Sequence, residues 1–524
     1  MKNKNFLAFC VLLIFATPFV SSLNVLGVLN FAARSHHIVG SSLMKALARK
    51  GHNVTVISPF PLKEPMANYH DINVPSILKI MSDDINNLFA TQNRSIVENI
   101  LSYHDMGIRV TQATLEEPGV KELIRNKPKF DVVINEVFLS EALFGLSEYF
   151  DAPLIGLGTF GAILWNTDMV GSPSPPSYVP SPMLRFSDRM NLLERIGNLA
   201  YHTFDRIFSD YFYLPRQEAL YKKYFPHNKR SMYEVRKNAA AVLLNQHVSL
   251  SFPRPYMPNQ IEVGGMHINR KRKPLPAEIQ KFIEEAEHGV VYFSMGSNLK
   301  SKHLPLEKRQ QILQTFRGLK QRVLWKFEDP YLPDKPDNVF ISDWFPQDDI
   351  LAHKNVRAFI THGGLLSTTE SIYHGKPFVG IPIFGDQFLN MARAEKNGYG
   401  IMLDYQKLDA ATFKSAIERI VDEPSYTKLV HDMSARYRDQ PMLPIDLAVF
   451  WVEHVARHNG AKYLHCAGLD LGFLQYHNID AMIILYGGIL LVFVLIVSLI
   501  RFLLNSICNI FVKKNTKSKK VKRN

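Results

Sequence analysis

Residues 343–387 read DWFPQDDILAHKNVRAFITHGGLLSTTESIYHGKPFVGIPIFGDQ, and the fold is decided there. The apolar run 356–360 (VRAFI) has strand length, and Gly363 and Gly364 follow it as a turn. Residues 365–374 then read as a helix closed by Gly375, and 376–382 (KPFVGIP) as the next strand. Such a strand-turn-helix-strand unit belongs to a parallel sheet, and open α/β sheets bind ligands at the carboxyl ends of their strands. The free N–H groups and the dipole of a helix start favour a diphosphate. With His362 beside them, charge on a departing diphosphate can be met without a metal.

The same stretch carries Trp344, Gln347, Glu370 and the pair Asp386-Gln387. Taken singly, His-Gly-Gly is a turn, a Trp beside Pro is core, and Asp-Gln is a helix cap. Five such elements in one ordered run resemble the donor signature of the UDP-glycosyltransferases, the group that includes the UDP-glucuronosyltransferases. The resemblance covers nearly all of the chain beyond its first residues. It implies an α/β fold of GT-B architecture, two Rossmann-like doubly wound domains facing a cleft, and roles residue by residue. Trp344 and Gln347 would stack on and hydrogen-bond the uracil. Glu370 would hold the ribose hydroxyls, and Asp386 and Gln387 would accept from and donate to the sugar. His362, Gly363 and Gly364 would cradle the diphosphate, with a second contact at Ser294, Gly296 and Ser297 in the strand-and-loop run 289–298 (GVVYFSMGSN). Leu366 stands where vertebrate members place an Asn that helps hold the nucleotide, and Ser367 or Thr368 is the substitute to look for.

Working outward, two α/β halves are expected. The first opens with strand 23–31 (LNVLGVLNF), helix 38–50 and strand 54–58, with further strands at 130–135 (FDVVIN) and 153–158 (PLIGLG). Regularity is lost between about 165 and 235, where 171–182 (GSPSPPSYVPSP) excludes helix or central strand. In the resembled family this region shapes the acceptor pocket and also touches the membrane. Strands at 290–294, 323–327 and 339–342 alternate with helices ahead of the signature. The domain expectation is therefore 23–239 for acceptor binding and 240–435 for UDP-sugar binding. A helix at 446–458 would cross back onto the first domain, within a juxtamembrane segment 436–478.

Glycosyl transfer needs an acceptor oxygen stripped of its proton, and histidine suits the base role because its ordinary pKa lies near working pH. A carboxylate on the far ring nitrogen would orient it and stabilise its charge. His36, expected in the loop after the first strand, and Glu136, just past 130–135, offer that pair at one end of the sheet. The resemblance maps the base onto His36, with His37 as a competitor. It maps the orienting acid onto Glu136, where vertebrate glucuronosyltransferases carry Asp. Attack opposite the UDP would invert the anomeric carbon.

Glucuronate-using relatives carry an Arg near the start of the second domain that reads the sugar carboxylate. The matching position here is Asn245, at the end of AAAVLLN. An amide cannot neutralise a carboxylate as a guanidinium does, so the sugar expected is glucose, with UDP-glucuronate the alternative.

At 524 residues the chain exceeds one compact core. Lys2 and Lys4, an apolar run 6–15 and small residues ending at Ser22 read as a secretory leader, 1–22. Residues 481–500 hold no charge, long enough to span a bilayer, within an expected span 479–504. Of the formal net charge of +13, positions 513–524 carry +7, Arg501 +1 and the leader +2, which leaves the body at about +3. The basic tail, 505–524, would stay cytosolic by the positive-inside rule, giving a single-pass type I protein with lumenal domains. Lys520 and Lys522 resemble a dilysine retrieval signal of the endoplasmic reticulum. A near-neutral body argues against a nucleic-acid partner. Of three cysteines, only Cys466 would be lumenal, because Cys10 leaves with the leader and Cys508 lies at the cytosolic edge. Asn93-Arg94-Ser95 is the expected glycosylation site, while Asn53-Val54-Thr55 falls in a buried strand.

Together these features describe a membrane-anchored enzyme. It would move a hexose from a UDP-sugar, its co-substrate, to a hydroxyl of a small lipophilic acceptor. No further cofactor or metal is expected. Rival readings are a glycosyltransferase dedicated to an endogenous lipid or pigment, and an inactive UDP-sugar-binding scaffold. The sequence leaves homo- or hetero-oligomerisation open.

Overall fold

The structure is a computed structural model that describes residues 22–86, 89 and 95–521. The expected leader up to residue 21, Asn93 and Lys522 lie outside the described residues. The chain divides into one unit ending at His465 and a second from Cys466 onward.

Among the described residues, thirteen strands form two wholly parallel sheets. The first contains β1 (Asn24–Val28), β2 (Asn53–Ser58), β3 (Tyr69–Asn73), β4 (Val132–Glu136), β5 (Leu154–Gly158), β6 (Ala241–Leu244) and β7 (Gln260–Glu262), in the order β3-β2-β1-β4-β5-β6-β7. The second contains β8 (Val290–Ser294), β9 (Arg322–Lys326), β10 (Val339–Ser342), β11 (Val356–Thr361), β12 (Phe378–Gly380) and β13 (Gly400–Met402), in the order β10-β9-β8-β11-β12-β13. In each sheet the order reverses once, between β1 and β4 and between β8 and β11. Such switch points are where doubly wound sheets open a crevice for ligands.

The strands are apolar on both faces because both faces are covered. Val133 faces one core and Val132 and Ile134 the other. Val291 and Phe293 alternate likewise with Val290 and Tyr292.

Helix α1 (Arg34–Arg49) follows β1. Helix α2 (Leu192–Phe208) starts at a capping box between Asn191 and Glu194. In the second half, α3 (Gln347–Leu351), α4 (Leu365–Tyr373) and α5 (Gln387–Lys396) each begin within the 343–387 signature. Helix α6 (Pro444–Arg457) returns to the first sheet. There Ala448, Val449, Val452 and Val455 join its core, each Val worth roughly 1.5–3 kcal/mol when buried. Glu453 of α6 meets the His52 ring at 3.0 Å and the Lys50 ammonium at 2.7 Å. In the second unit, α7 (Ile479–Val521) holds an apolar stretch, Ile479–Lys513, long and apolar enough to cross a membrane and longer than the 479–504 expected. Among the described cysteines, Cys466 and Cys508 are free.

Four expectations need correction. The domain boundary at 239/240 is wrong: β6 pairs with β5 and β7 with β6, so residues 241–262 complete the first sheet. An apolar run of strand length announces a strand without saying which sheet it joins. The span 165–235 is irregular only in its first part. Beyond it lie α2, then helices at Leu214–Tyr224 and Met232–Lys237. Aromatic residues and a π-helical turn at Ser209–Tyr213 blur the 3.6-residue period there. His36 sits in the first turn of α1, not in a loop before it, because that helix begins four residues earlier than its apolar period suggests. Glu136 is the last residue of β4 and not beyond it.

Candidate functional site

The first switch point brings His36 and Glu136 together. The imidazole Nδ1 lies 2.5 Å from Glu136 Oε1. Both side chains are buried, Glu136 to within 1% of full burial. Thr159, directly after β5, donates its hydroxyl to the same carboxylate oxygen at 3.2 Å and lies 3.0 Å from His36 Nδ1. With Nδ1 committed to the carboxylate, Nε2 is the ring atom left to take a proton. Phe31, Phe138 and Phe160 surround the ring at centroid distances of 4.8, 5.1 and 5.0 Å. His36 borders two cavities at once.

His37 is differently placed. Its Nδ1 bonds Ser58 Oγ at 3.0 Å, and burial, with Lys45 and Arg34, lowers its pKa to about 4. It lines neither cavity.

One cavity is mostly apolar, with Phe31, Tyr103, Met106, Phe138, Trp165 and Met183 in its wall. The other is the more polar of the two and runs along the signature. Its wall contains Ser294, Gly296, Ser297, Trp344, Gln347, His362, Gly364, Leu366, Ser367, Glu370, Asp386 and Gln387. Thus all but one of the expected UDP-sugar contacts share one cavity. The exception is Gly363, which is absent from the wall. Its φ of +81° makes the turn itself, and a Cβ there would meet Met391 at 2.7 Å.

The loops after β8 and β11 meet on His362. A Cβ on Gly296 or on Gly364 would each lie 2.4 Å from its ring, so both loops need glycine to hold the imidazole between them. Burial, with Lys326 nearby, lowers the His362 pKa to about 4, which favours the neutral ring near neutral pH. The α4 first-turn N–H groups begin at Gly364, whose carbonyl already accepts from Thr368 N.

Gln347 donates its amide to Glu370 Oε2 at 2.8 Å and to Ser367 Oγ at 3.2 Å, and accepts from the Tyr292 hydroxyl at 3.3 Å. Ser367 therefore reaches the site beside Leu366. The Thr368 hydroxyl is spent on the Gly364 and Leu365 carbonyls. Trp344 is 53% exposed at the cavity edge, with the Lys326 ammonium 5.8 Å from its ring centroid. Gln387 accepts the Ile383 and Phe384 N–H groups at 2.8 and 3.1 Å, so its amide NH2 remains to donate. Asp386 borders both cavities; burial pushes its carboxyl up, against the Asn390 amide at 3.0 Å and the nearby His36.

Asn245 follows β6 on the first sheet, not at the start of the second domain. Its amide donates to the Thr159 carbonyl at 3.0 Å, and it faces Asp386 and Arg393 across a small third cavity. The Arg393 guanidinium is held by the Leu250 carbonyl and the Phe252 ring.

Thr159, Tyr292 and Lys326 escaped the sequence reading. A polar residue closing the run PLIGLGT was the available signal for Thr159, whereas Tyr292 and Lys326 sit inside strands with no pattern to mark them.

The sequence family described as "UDP-glucoronosyl and UDP-glucosyl transferase" matches residues 10–518. UDP-glycosyltransferase UGT5 of Dactylopius coccus is 35% identical over 97% of this chain and 98% of its own length. The human 2-hydroxyacylsphingosine 1-beta-galactosyltransferase is 30% identical over 94% and 91% respectively. Among solved structures, the glycosyltransferase VinC in complex with DTDP superposes with a TM-score of 0.58 at 18% identity, over 83% of this chain and all of its own. TcCGT1 in complex with UDP gives 0.56 at 16%, over 84% of this chain and all of its own. The fold is GT-B, and the chain belongs to the UDP-glycosyltransferase family.

Proposed function

We propose that the protein is an inverting glucosyltransferase that moves glucose from UDP-glucose to a hydroxyl of a small lipophilic acceptor. The observation that carries this reading is the buried His36–Glu136 pair, standing where the apolar and polar cavities meet. An acceptor in the apolar cavity places its hydroxyl at His36 Nε2. The imidazole takes the proton as the oxygen bonds to the anomeric carbon, and Glu136 stabilises the resulting imidazolium. The sugar–phosphate bond breaks on the opposite face, which inverts that carbon. UDP leaves with the bonding electrons toward the α4 N-terminus, the neutral His362 N–H and Lys326. Asp386 accepts from the sugar hydroxyls and Gln387 donates to them.

No metal is required for this charge balance, and activity is expected to survive EDTA. Asn245, in place of an arginine, supports glucose over glucuronate, and Arg393 is already engaged by Leu250 and Phe252. The apolar stretch of α7 supports a membrane anchor, and the exposed Leu192, Leu193, Ile196 and Leu199 of α2 support lipid contact by the catalytic body as well. A lumenal, endoplasmic-reticulum location and glycosylation at Asn93 complete the reading.

The test is transfer by membranes containing the full chain, given labelled UDP-glucose or UDP-glucuronate with a panel of phenols. Glucoside formation of β configuration supports the proposal. Transfer from UDP-glucuronate alone overturns the sugar assignment, and retention of configuration overturns the mechanism.

A further inference from the structure

One buried side chain in the polar cavity has no hydrogen-bond partner. His267 lies in the segment leaving β7, so the first half of the chain supplies it to a cavity built mainly from the second. Its side chain is 2% exposed, and neither ring nitrogen makes a hydrogen bond. Nε2 nevertheless stands 3.3 Å from Glu370 Oε1. The other Glu370 oxygen is occupied, since Oε2 accepts the Gln347 amide at 2.8 Å.

The backbone holds the ring in place from both sides. Gly265, at φ +85°, turns the chain against the Tyr437 hydroxyl, where a Cβ would come within 2.2 Å. Two residues past His267, Asn269 N donates to Asp348 Oδ2 at 3.2 Å, fixing the strand exit to α3. A buried imidazole with two unused nitrogens, fixed beside a carboxylate, is an unfavourable arrangement unless a ligand completes it.

We propose that His267 is a positioning residue for the nucleoside end of the donor, acting through Glu370. This rests on the reading of the polar cavity as the UDP-sugar site. When a base takes over the Gln347 amide, the Glu370 carboxylate is released toward a vicinal diol. The His267 Nε2–H then closes on Oε1 from behind and holds the carboxylate in the plane that accepts both hydroxyls. Without that donor the carboxylate rotates freely, and part of the diol recognition is lost.

The experiment measures binding of UDP and of 2′,3′-dideoxy-UDP to the detergent-solubilised full chain and its variants. The ratio of the two affinities is independent of the fraction of protein that folds. The unmodified protein is expected to favour UDP by about tenfold or more, as hydrogen bonds to a charged group allow. In His267→Ala that preference falls to about threefold or less, while affinity for the dideoxy compound holds. His267→Gln, which restores an N–H donor of similar reach, recovers most of the preference. Donor KM rises in His267→Ala with kcat at saturating donor unchanged. An unchanged preference in His267→Ala overturns the inference and leaves the UDP site standing. No preference in the unmodified protein overturns the diol assignment of Glu370, and no UDP binding at all overturns the donor-site reading itself.

Discussion

The two switch points are built from the same topology and finished in opposite ways. Between β1 and β4 the polar groups satisfy one another: His36, Glu136 and Thr159 form a closed set, buried and walled by phenylalanines. Between β8 and β11 the polar groups are held by glycines and left with unused capacity. The His362 ring sits between Gly296 and Gly364, the Gln387 amide has spare donors, and Trp344 is half exposed. A base must be oriented before substrate arrives, so its partners belong to the protein. A donor clamp must exchange its partners for those of the nucleotide, so its partners are incomplete until it binds.

Variants at the two points should therefore fail in different ways. Short of removing the base itself, the largest effect is expected from Glu136→Gln, which removes the charge that stabilises the imidazolium. Here kcat should fall by roughly 10²–10³, with donor KM unmoved; an equal rise in donor KM would erase the distinction between the two sites. Gly364→Ala drives a methyl into His362 and should raise donor KM by ~10–100-fold with acceptor KM little changed.

Away from the chemistry, Glu453→Gln removes the charge that holds α6 to His52 and Lys50. Despite burial, these two contacts hold the Glu453 carboxyl below its usual range. Its stabilising contribution is thus present above the unfolded pKa and lost as pH falls through the folded one. The variant should lose about 1–3 kcal/mol in urea unfolding at neutral pH, and less in acid.

A further pH effect has a definite sign. Folded His37 takes up its proton near 4, against about 6.5 when unfolded, so the unfolded chain binds more protons between these values. Stability should decline on acidification across that window, and His37→Asn should flatten the decline by up to ~3 kcal/mol, read as Tm against pH. The smallest change is expected from Asn245→Arg, which should move donor preference toward UDP-glucuronate by about tenfold, measured as a ratio of kcat/KM values.

Much of the candidate donor cavity was legible because its residues fall in one run of 45 positions with a strand-helix period beneath them. The proposed catalytic pair was legible for a different reason: Glu136 closes a strand and His36 opens the helix after another, at the same end of a parallel sheet. Sheet membership was not legible. Residues 241–244 are apolar and strand-length whichever sheet they join, and only hydrogen bonding to β5 decides it. Helices between 191 and 237 were hidden by aromatic residues and a π-helical turn that disturb the helical period. Thr159, Tyr292, Lys326 and His267 occupy positions that topology creates, and no local spacing marks them.

The division of labour between the switch points is tested most directly by His36→Ala, with transfer and UDP affinity measured on the same preparation of the full chain. The account predicts that transfer falls by at least roughly 10³-fold while UDP binds as it does to the unmodified protein. Undiminished transfer, or loss of UDP binding in step with transfer, would contradict it.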